Sequence, residues 1–451
     1  MRKLVLISLL ILLPACGLSS VVGSGPTATV AATSQSSQSS PASSASWVPG
    51  SSQKVCQLVG ETDKQLNQPA PNQTETRYGL VGNDLGYSFE HDGKLFFLFG
   101  DSDPTPLFNG KPNGPKDPPR TPDDNDAIAY STDTSPNPCV RLTFITSTSG
   151  AYQNPVVLGA DGKPAITLRT NEVPIAGIDD GGKMYVIFAT DNPVYPPGPT
   201  KGNLGRSTRT VVASSDDDGQ TFHYLYDFSK GPDAHFIDTA IAAAADGYLY
   251  FWGAQGGDNY RKSAAYLARK PVGSMGTLDP IQYLKAVNAD GSPVFSASES
   301  DAMPLFHDTD GSTQADCMGE HGVEYNSYIK QWMMLYNCQD ETTANLHGVY
   351  MRLAAQPWGP WSSPQTIFSP ARDGGLCSFI HRAVTAQNPT PCDRLSGQAR
   401  QDEQGGDYGP YFLSRMTTGD ASAGTTTFYY TLSTWNPYVE VIMKSTVKVG
   451  P

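Results

Sequence analysis

The sequence has no apolar run long enough to cross a bilayer as a helix, which takes ~20 residues. Its longest mostly apolar run extends only from Leu4 to Leu13. It also lacks a GxSxG nucleophile elbow, an HExxH zinc motif and a glycine-rich phosphate-binding loop. These absences argue against α/β-hydrolase, zinc-protease and nucleotide-dependent chemistry, and no cofactor is expected. Helical periodicity is scarce, which favours short strands and turns.

Positive charge is also scarce. The chain carries 31 Lys and Arg against 44 Asp and Glu, a net charge of -13. Because an acidic surface repels phosphate backbones, we expect no nucleic-acid partner. A neutral polysaccharide would not be repelled.

The N-terminus indicates export. Arg2 and Lys3 precede the short apolar run, which is typical of a signal peptide over residues 1–15. The end of that run, Leu13-Pro14-Ala15-Cys16, resembles a bacterial lipobox, which implies acylation of Cys16. An ordinary signal peptide cut near Ala15 is the alternative. Residues 16–50 are rich in Ser, Thr and Ala and predict a flexible tether. We therefore expect an extracytoplasmic, lipid-anchored protein that contacts the membrane only through its anchor.

Cysteine usage agrees with an oxidising compartment. Six cysteines remain after Cys16: Cys56, Cys139, Cys317, Cys338, Cys377 and Cys392. Pairs close in sequence, Cys317–Cys338 and Cys377–Cys392, are candidate disulfides, although six cysteines allow 15 connectivities. A metal site is the other interpretation, but no CxxC or HxxH spacing supports it.

One pattern recurs five times in residues 51–451. A segment of small and polar residues leads to a turn, which is followed by a dense apolar run. The five segments with their runs are 83–90 with 95–99, 172–178 with 184–188, 235–244 with 248–252, 320–325 with 331–336, and 408–416 with 425–432. Each predicts a β-hairpin whose second strand is buried on both faces. Five such units predict an all-β, five-bladed β-propeller. The alternative is a two-sheet sandwich with a second domain.

The segment from Ser215 to Phe222 resembles the Asp-box of sialidases and other propellers. It reads Ser215-Asp216-Asp217-Asp218-Gly219-Gln220-Thr221-Phe222. Asp217 is expected to accept hydrogen bonds from turn amides, and Gly219 to take a positive φ. Its role is predicted to be structural.

The first strand of each predicted hairpin begins near the propeller axis, so polar residues there should converge on one pocket. They are Asn83, Asp84, Glu172, His235, Asp238, Glu320, His321, Asp407 and Tyr408. Asp101 directly follows the first apolar run and returns to the end that holds Asp84. Two carboxyls so placed suit glycoside hydrolysis, which needs an acid and a base or nucleophile. Late aromatic residues, Trp435 with Tyr438, add flat rings suited to sugars.

Several segments resemble the DUF4185 family over roughly residues 75 to 448. They are Tyr78 to Gly86, Glu90 to Asp101, Gly322 to Tyr336, Tyr408 to Tyr411 and Leu432 to Tyr438. The resemblance implies a five-bladed propeller and an endo-acting hydrolase of D-arabinofuranose polysaccharide, such as arabinogalactan or lipoarabinomannan. It implies that Asp84 and Asp101 are the catalytic carboxyls.

The predicted substrate-binding residues are Glu172, His235, Asp238, Glu320, Tyr408, Trp435 and Asn436. Two other functions stay open. A sialidase-like exo-glycosidase would need converging arginines, for which Arg206, Arg209, Arg382 and Arg415 are candidates. A non-catalytic glycan-binding propeller would use the same aromatic residues. We expect a monomer, and a structural cation at the propeller centre is left open because no ligand set declares itself.

Overall fold

Short elements precede the first large sheet. The computed structural model describes residues 45–109, 111–112, 126–169, 171–191, 207–231, 234–256, 262–308, 316–338, 348–395 and 401–450. The first elements are β1 (Ala45–Trp47), β2 (Gln53–Gln57), β3 (Thr62–Asp63), β4 (Gln68–Pro69) and helix α1 (Thr74–Tyr78). The predicted signal peptide, the lipidation at Cys16 and the tether up to residue 44 lie outside the described residues.

The other strands form five sheets in chain order. Blade one comprises β5 (Leu80–His91) and β6 (Lys94–Pro104), then a separate ribbon of β7 (Leu107–Phe108) and β8 (Lys111–Pro112), then β9 (Ala127–Ser131) and β10 (Thr143–Phe144). Blade two comprises β11 (Val157–Leu158), β12 (Pro174–Asp179), β13 (Met184–Thr190), β14 (Arg209–Ser215) and β15 (Phe222–Lys230). Blade three comprises β16 (Asp238–Ala243), β17 (Tyr248–Ala254), β18 (Tyr266–Pro271), β19 (Gln282–Val287) and β20 (Pro293–Ser296).

Blade four comprises β21 (Met318–Asn326), β22 (Gln331–Cys338), β23 (Val349–Ala354) and β24 (Gln365–Phe368). Blade five comprises β25 (Gly406–Phe412), β26 (Thr418–Asp420), β27 (Thr425–Trp435) and β28 (Val439–Val449). Two 3-10 turns, Glu299–Asp301 and Ser414–Met416, follow β20 and β25. No helix in the described part of the chain is long and apolar enough to span a membrane.

The innermost strands close into a ring. β5 contacts β12, β12 contacts β16, β16 contacts β21, β21 contacts β25, and β25 contacts β5. This cyclic order confirms the predicted five-bladed propeller and excludes the sandwich. The five predicted hairpins are the inner strand pairs of the five blades.

The apolar run of blade one explains why its sequence is continuous rather than alternating. Leu95 to Phe99 are all at most 1% exposed. Phe96 and Leu98 pack into the cluster shared with blade two, whereas Leu95, Phe97 and Phe99 pack into a separate cluster on the other face. Since each buried side chain of this size contributes about 1.5–3 kcal/mol, a strand covered on both faces needs apolar residues at every position.

The N-terminal segment completes blade five. β1 and β2 both pair with the C-terminal strand β28. Ala45 is buried, and Trp47 packs against the Arg372 guanidinium, 4.6 Å from the ring centre. The described strands therefore include residues up to six positions before the predicted boundary at residue 51. Sequence reasoning missed β1 and β2 because strands of three and five residues are too short to show a hydrophobic period.

The three disulfides are Cys56–Cys139, Cys317–Cys338 and Cys377–Cys392. The two local pairs are those predicted. The remaining pair joins β2, in blade five, to the segment between β9 and β10, in blade one. It therefore crosslinks the chain where the ring closes. Three disulfides are typical of extracytoplasmic proteins.

The Asp-box forms the turn between β14 and β15. The Thr221 amide donates to Asp217 Oδ1 (2.9 Å), the Thr221 hydroxyl donates to Asp217 Oδ2 (2.8 Å), and Ser215 Oγ donates to Asp217 Oδ1 (2.8 Å). Gly219 has φ +84°. The predicted structural role is confirmed.

An Asp217→Ala substitution should therefore reduce the free energy of unfolding by about 1–2 kcal/mol, because it removes charge-assisted bonds that hold the turn. Urea denaturation measures this loss. Any activity at the distant inner strands should be unchanged, and a large fall in activity without unfolding would contradict the structural role.

Candidate active site

The candidate site lies at the end of the ring where the inner strands begin. Asp84 on β5 is paired with Gly100 on β6, so Asp101 is the next residue along the neighbouring strand. An added Cβ at Gly100 would lie 3.0 Å from Asp84 Oδ1. The Asp84 carboxyl therefore sits over the Gly100 backbone, where a side chain would crowd it. Asp84 and Asp101, the two predicted catalytic residues, therefore lie at neighbouring positions of one hairpin.

Asp84 is held by a residue from blade five. The Tyr408 hydroxyl donates to Asp84 Oδ2 over 2.8 Å, and both side chains are less than 10% exposed. The two residues lie 324 positions apart in the chain. A hydrogen bond of this kind favours the charged carboxylate.

Asp101 is held from blade two. Its Oδ1 atom accepts the Asn171 amide over 2.9 Å. Asn171 precedes Glu172, which is 1% exposed and accepts the Arg169 amide at Oε2 (3.0 Å). Asp84, Asp101 and Glu172 are therefore brought together at the junction of blades one and two.

A third carboxyl of blade one, Asp126, belongs to this group and was missed by the sequence analysis. It directly precedes β9, which pairs with β6 beside Gly100, and it is 2% exposed. Burial raises the pKa of Asp126 well above its ordinary value, and the charges of Asp101, Asp84 and Glu172 raise it further. Burial and the neighbouring carboxylates therefore favour the protonated form of Asp126. The available signal was an acidic residue at the start of an apolar run, the mirror image of Asp101.

A further buried acid, Glu440, lies beneath Asp84. Ser433 Oγ accepts the Leu85 amide (2.8 Å) and donates to Glu440 Oε2 (2.9 Å). Burial raises the pKa of Glu440 well above its ordinary value; the Ser433 hydrogen bond opposes this shift, and the Asp84 charge adds to it. The shift favours the neutral form of Glu440, which adds no second negative charge near Asp84.

Tyr87 of β5 links blade one to blade three. Its hydroxyl donates to the Ile241 carbonyl of blade three and accepts the Ile241 amide, both over 3.0 Å. The edge of an innermost strand leaves such groups unpaired, and the tyrosine satisfies both. Burial raises the pKa of Tyr87 to about 12, so it stays neutral. Tyr87 therefore reaches from blade one to blade three, three positions along β5 from Asp84.

Residues 69–444 match DUF4185, a domain of unknown function. The chain belongs to the DUF4185 family. No curated protein matches it in sequence.

This DUF4185 chain is also similar to solved glycoside hydrolases. A thermostable family-43 glycoside hydrolase is 12% identical, with 84% of this chain and 96% of that chain covered and a TM-score of 0.41. A glycosyl hydrolase from Bacteroides ovatus is 13% identical, with coverage of 86% and 91% and a TM-score of 0.41. The GH43_1 enzyme from Xanthomonas citri complexed with xylotriose is 12% identical, with coverage of 82% and 87% and a TM-score of 0.38. These similarities are distant, and the functional assignment depends on the site itself.

The other predicted site residues of the DUF4185 chain start the inner strands of blades three and four. Asp238 begins β16, and Glu320 lies near the start of β21; both are buried. The His235 ring lies 4.1 Å from the Tyr266 ring, and its amide donates to Glu299 Oε1 (2.7 Å). The described contacts of His235 are therefore within blade three and its neighbouring turn.

Trp435 and Asn436 lie at the turn between β27 and β28, beside blade one. Trp435 is half-buried, with its ring 6.0 Å from the Tyr438 ring. Asn436 is buried, and its Nδ2 atom donates to the Glu403 carbonyl (2.7 Å). The Asn436 side chain therefore supports the turn, while Trp435 keeps partial access to solvent.

Among the described residues, the grouping of Cys377, Cys392 and Asp393 has the spacing of metal ligands. Its two sulfurs form a disulfide, so they are not thiolate ligands. It carries no metal assignment.

Proposed function

We propose that this DUF4185 protein is a glycoside hydrolase that cuts D-arabinofuranose polysaccharide internally, with Asp84 and Asp101 as its two reacting carboxyls. The observation that carries the proposal is that these two residues lie at neighbouring positions of paired strands, each with its carboxyl held by a residue of an adjacent blade. Glycoside hydrolysis needs one carboxyl to protonate the leaving oxygen and another to act as base or nucleophile. Glu172, Tyr408 and Trp435, with His235, Asp238 and Glu320 farther round the ring, are proposed to bind sugar.

The charge of the site supports a neutral substrate. Asp84, Asp101 and Glu172 stand close enough that all three charges act on Asp126. An anionic sugar would enter against this field. The hydrogen-bond donors of a neutral pentose chain are hydroxyl groups, and carboxylate oxygens can accept hydrogen bonds from them.

The same field disfavours the sialidase-like alternative. Arg209 is engaged in ion pairs on the third strand of blade two. Arg415 pairs with Glu90, at the opposite end of β5 from Asp84. Arg206 lies outside the described residues. Arg209 and Arg415 therefore form ion pairs away from the candidate site.

We also propose export and anchoring through Cys16. Ala45 pairs with Val449, whereas β28 begins beside the site at Val439. The described chain therefore starts at the end of the propeller opposite the carboxyls.

The test is incubation of the chain from residue 17 onward with D-arabinan, with L-arabinan, xylan and β-1,3-galactan as comparison substrates. We expect oligosaccharides of several lengths to appear together from D-arabinan, since an internal cut releases a mixture. Chromatography and a reducing-end assay measure this. A folded protein that binds D-arabinan but releases no product would instead support the non-catalytic glycan-binding function, which the half-exposed Trp435 also suits.

A Tyr408→Phe substitution should shift the pH–rate profile. In the wild type, the hydrogen bond from Tyr408 stabilises the charged form of Asp84. Without this bond, the limb of the profile that reports Asp84 should move to higher pH by about one unit. An acidic limb that moves identifies Asp84 as base or nucleophile, and a basic limb identifies it as the general acid. Tyr325→Phe, at an exposed tyrosine, is the matched control. Two unmoved limbs would contradict a role for this bond.

A further inference from the structure

The turn between β27 and β28 packs directly against the strands that carry the two carboxyls. The Tyr438 hydroxyl donates to the Asp101 carbonyl over 2.7 Å, across 337 positions of sequence. Below it, an added Cβ at Gly82 would collide with the Tyr438 carbonyl oxygen. Blade five can therefore approach blade one this closely only because residue 82 is glycine.

Asp101 has a backbone conformation that non-glycine residues seldom adopt, although aspartate does so more often than most. Its φ is +34°, in the left-handed region that favours glycine. A non-glycine residue stays there only when surrounding contacts hold it. The Tyr438 hydrogen bond is one such contact, because it fixes the direction of the peptide carbonyl that follows the Asp101 Cα.

Asp101 is held on both sides. Its carbonyl accepts Tyr438 from blade five, and its carboxyl oxygen Oδ1 accepts the Asn171 amide from blade two. Relaxation of the backbone at Asp101 would swing the carboxyl away from Asn171. The backbone contact and the carboxyl contact therefore depend on each other.

The Tyr438 side chain is itself well fixed. Its ring meets Trp435 edge to face, with centroids 6.0 Å apart. The turn is closed by Thr434, whose hydroxyl reaches the Pro437 carbonyl (2.7 Å) and the Val439 carbonyl (3.1 Å). A rigid turn can impose a conformation on the residue it touches.

We infer that Tyr438 is a positioning residue whose hydroxyl holds Asp101 in the left-handed conformation that presents its carboxyl beside Asp84. This inference rests on the proposed function, in which Asp101 reacts. Tyr438 acts through Asp101 and not by contact with the reacting bond. A carboxyl displaced by even 1 Å from its productive place reacts much more slowly.

The test is Tyr438→Phe, which removes one oxygen and keeps the ring. We expect kcat to fall tenfold or more while KM changes less than twofold, because the sugar contacts remain. Tyr325→Phe is the matched control and should leave both constants unchanged. An unchanged kcat for Tyr438→Phe would overturn the inference.

A double substitution separates positioning from general structural support. In an Asp101→Asn background, Tyr438→Phe should cause no further loss of rate, since the group it positions has already lost its function. Multiplicative losses would overturn the inference. If Tyr438→Phe fails to fold, Tyr438→Leu, which also removes the hydroxyl and keeps an apolar side chain, takes its place under the same criteria. An inactive wild-type protein would contradict the proposed function, whereas an active one with full activity in Tyr438→Phe would contradict only the role of Tyr438.

Discussion

Asp84→Asn and Asp101→Asn should each lower the rate of D-arabinan cleavage by about a thousandfold, with little change in melting temperature. General acid–base catalysis supplies rate factors of about 10²–10⁴, and loss of a nucleophile costs at least as much. Asparagine has the shape of aspartate and can still occupy the place beside Gly100, so the fold should persist. Initial rates from a reducing-end assay and a thermal melt measure the two quantities.

The two variants should also differ from each other. An activated aryl furanoside needs no proton on its leaving oxygen, so the variant that lacks the general acid should regain much of its rate on that substrate. The variant that lacks the base or nucleophile should stay inactive. Asp161→Asn, whose side chain is 64% exposed in a surface turn, controls for the loss of one negative charge. Full activity in either site variant would eliminate that residue as a reacting group.

Removal of the Cys56–Cys139 disulfide should lower the free energy of unfolding by about 4.5 kcal/mol. The bond spans 83 positions, and in the loop-closure account longer loops restrict the unfolded chain more. It also joins the closing strand β2 to blade one, so its loss loosens the junction where the ring closes. Urea denaturation of the Cys56→Ser/Cys139→Ser variant measures the change.

The Cys377–Cys392 bond provides the comparison. It spans 15 positions, for which the same account expects about 3 kcal/mol. The longer crosslink should therefore be the costlier one to remove. A smaller loss for Cys56→Ser/Cys139→Ser than for Cys377→Ser/Cys392→Ser would contradict the proposed importance of ring closure.

Local chemistry made much of this protein predictable. The hairpin of β5 and β6 follows from an apolar run and from Asp92 with Gly93, whose φ values of +45° and +74° suit a two-residue turn. The Asp-box was predictable because the hydrogen bonds that Asp217 accepts from Ser215 and Thr221 join residues within four positions of each other. Asp84 and Asp101 were predictable as neighbours because one hairpin carries both.

The contacts that join site residues of different blades are long-range. Tyr408 was predicted near the axis, but its bond to Asp84 depends on closure of the ring between blades five and one. Asp126 was missed because it enters from a third strand, and Glu440 because it enters from the last. Tyr438 was recognised only as an aromatic residue, since nothing in its neighbourhood in sequence indicates contact with Asp101.

The sequence by itself determined the repeated hairpins, and with them the all-β propeller, the local disulfides and the hairpin that carries two carboxyls. Those features depend on residues a few positions apart, where side-chain alternation and turn preference act directly. Only the tertiary structure decided that Ala45–Trp47 pairs with the last strand. The same holds for the hydrogen bonds of Tyr87 with blade three. The tertiary structure also decided the shell of Asp126, Glu440 and Tyr438 around the pair. These features depend on which blades meet when the ring closes. No periodicity along the chain encodes contacts between residues so far apart in sequence.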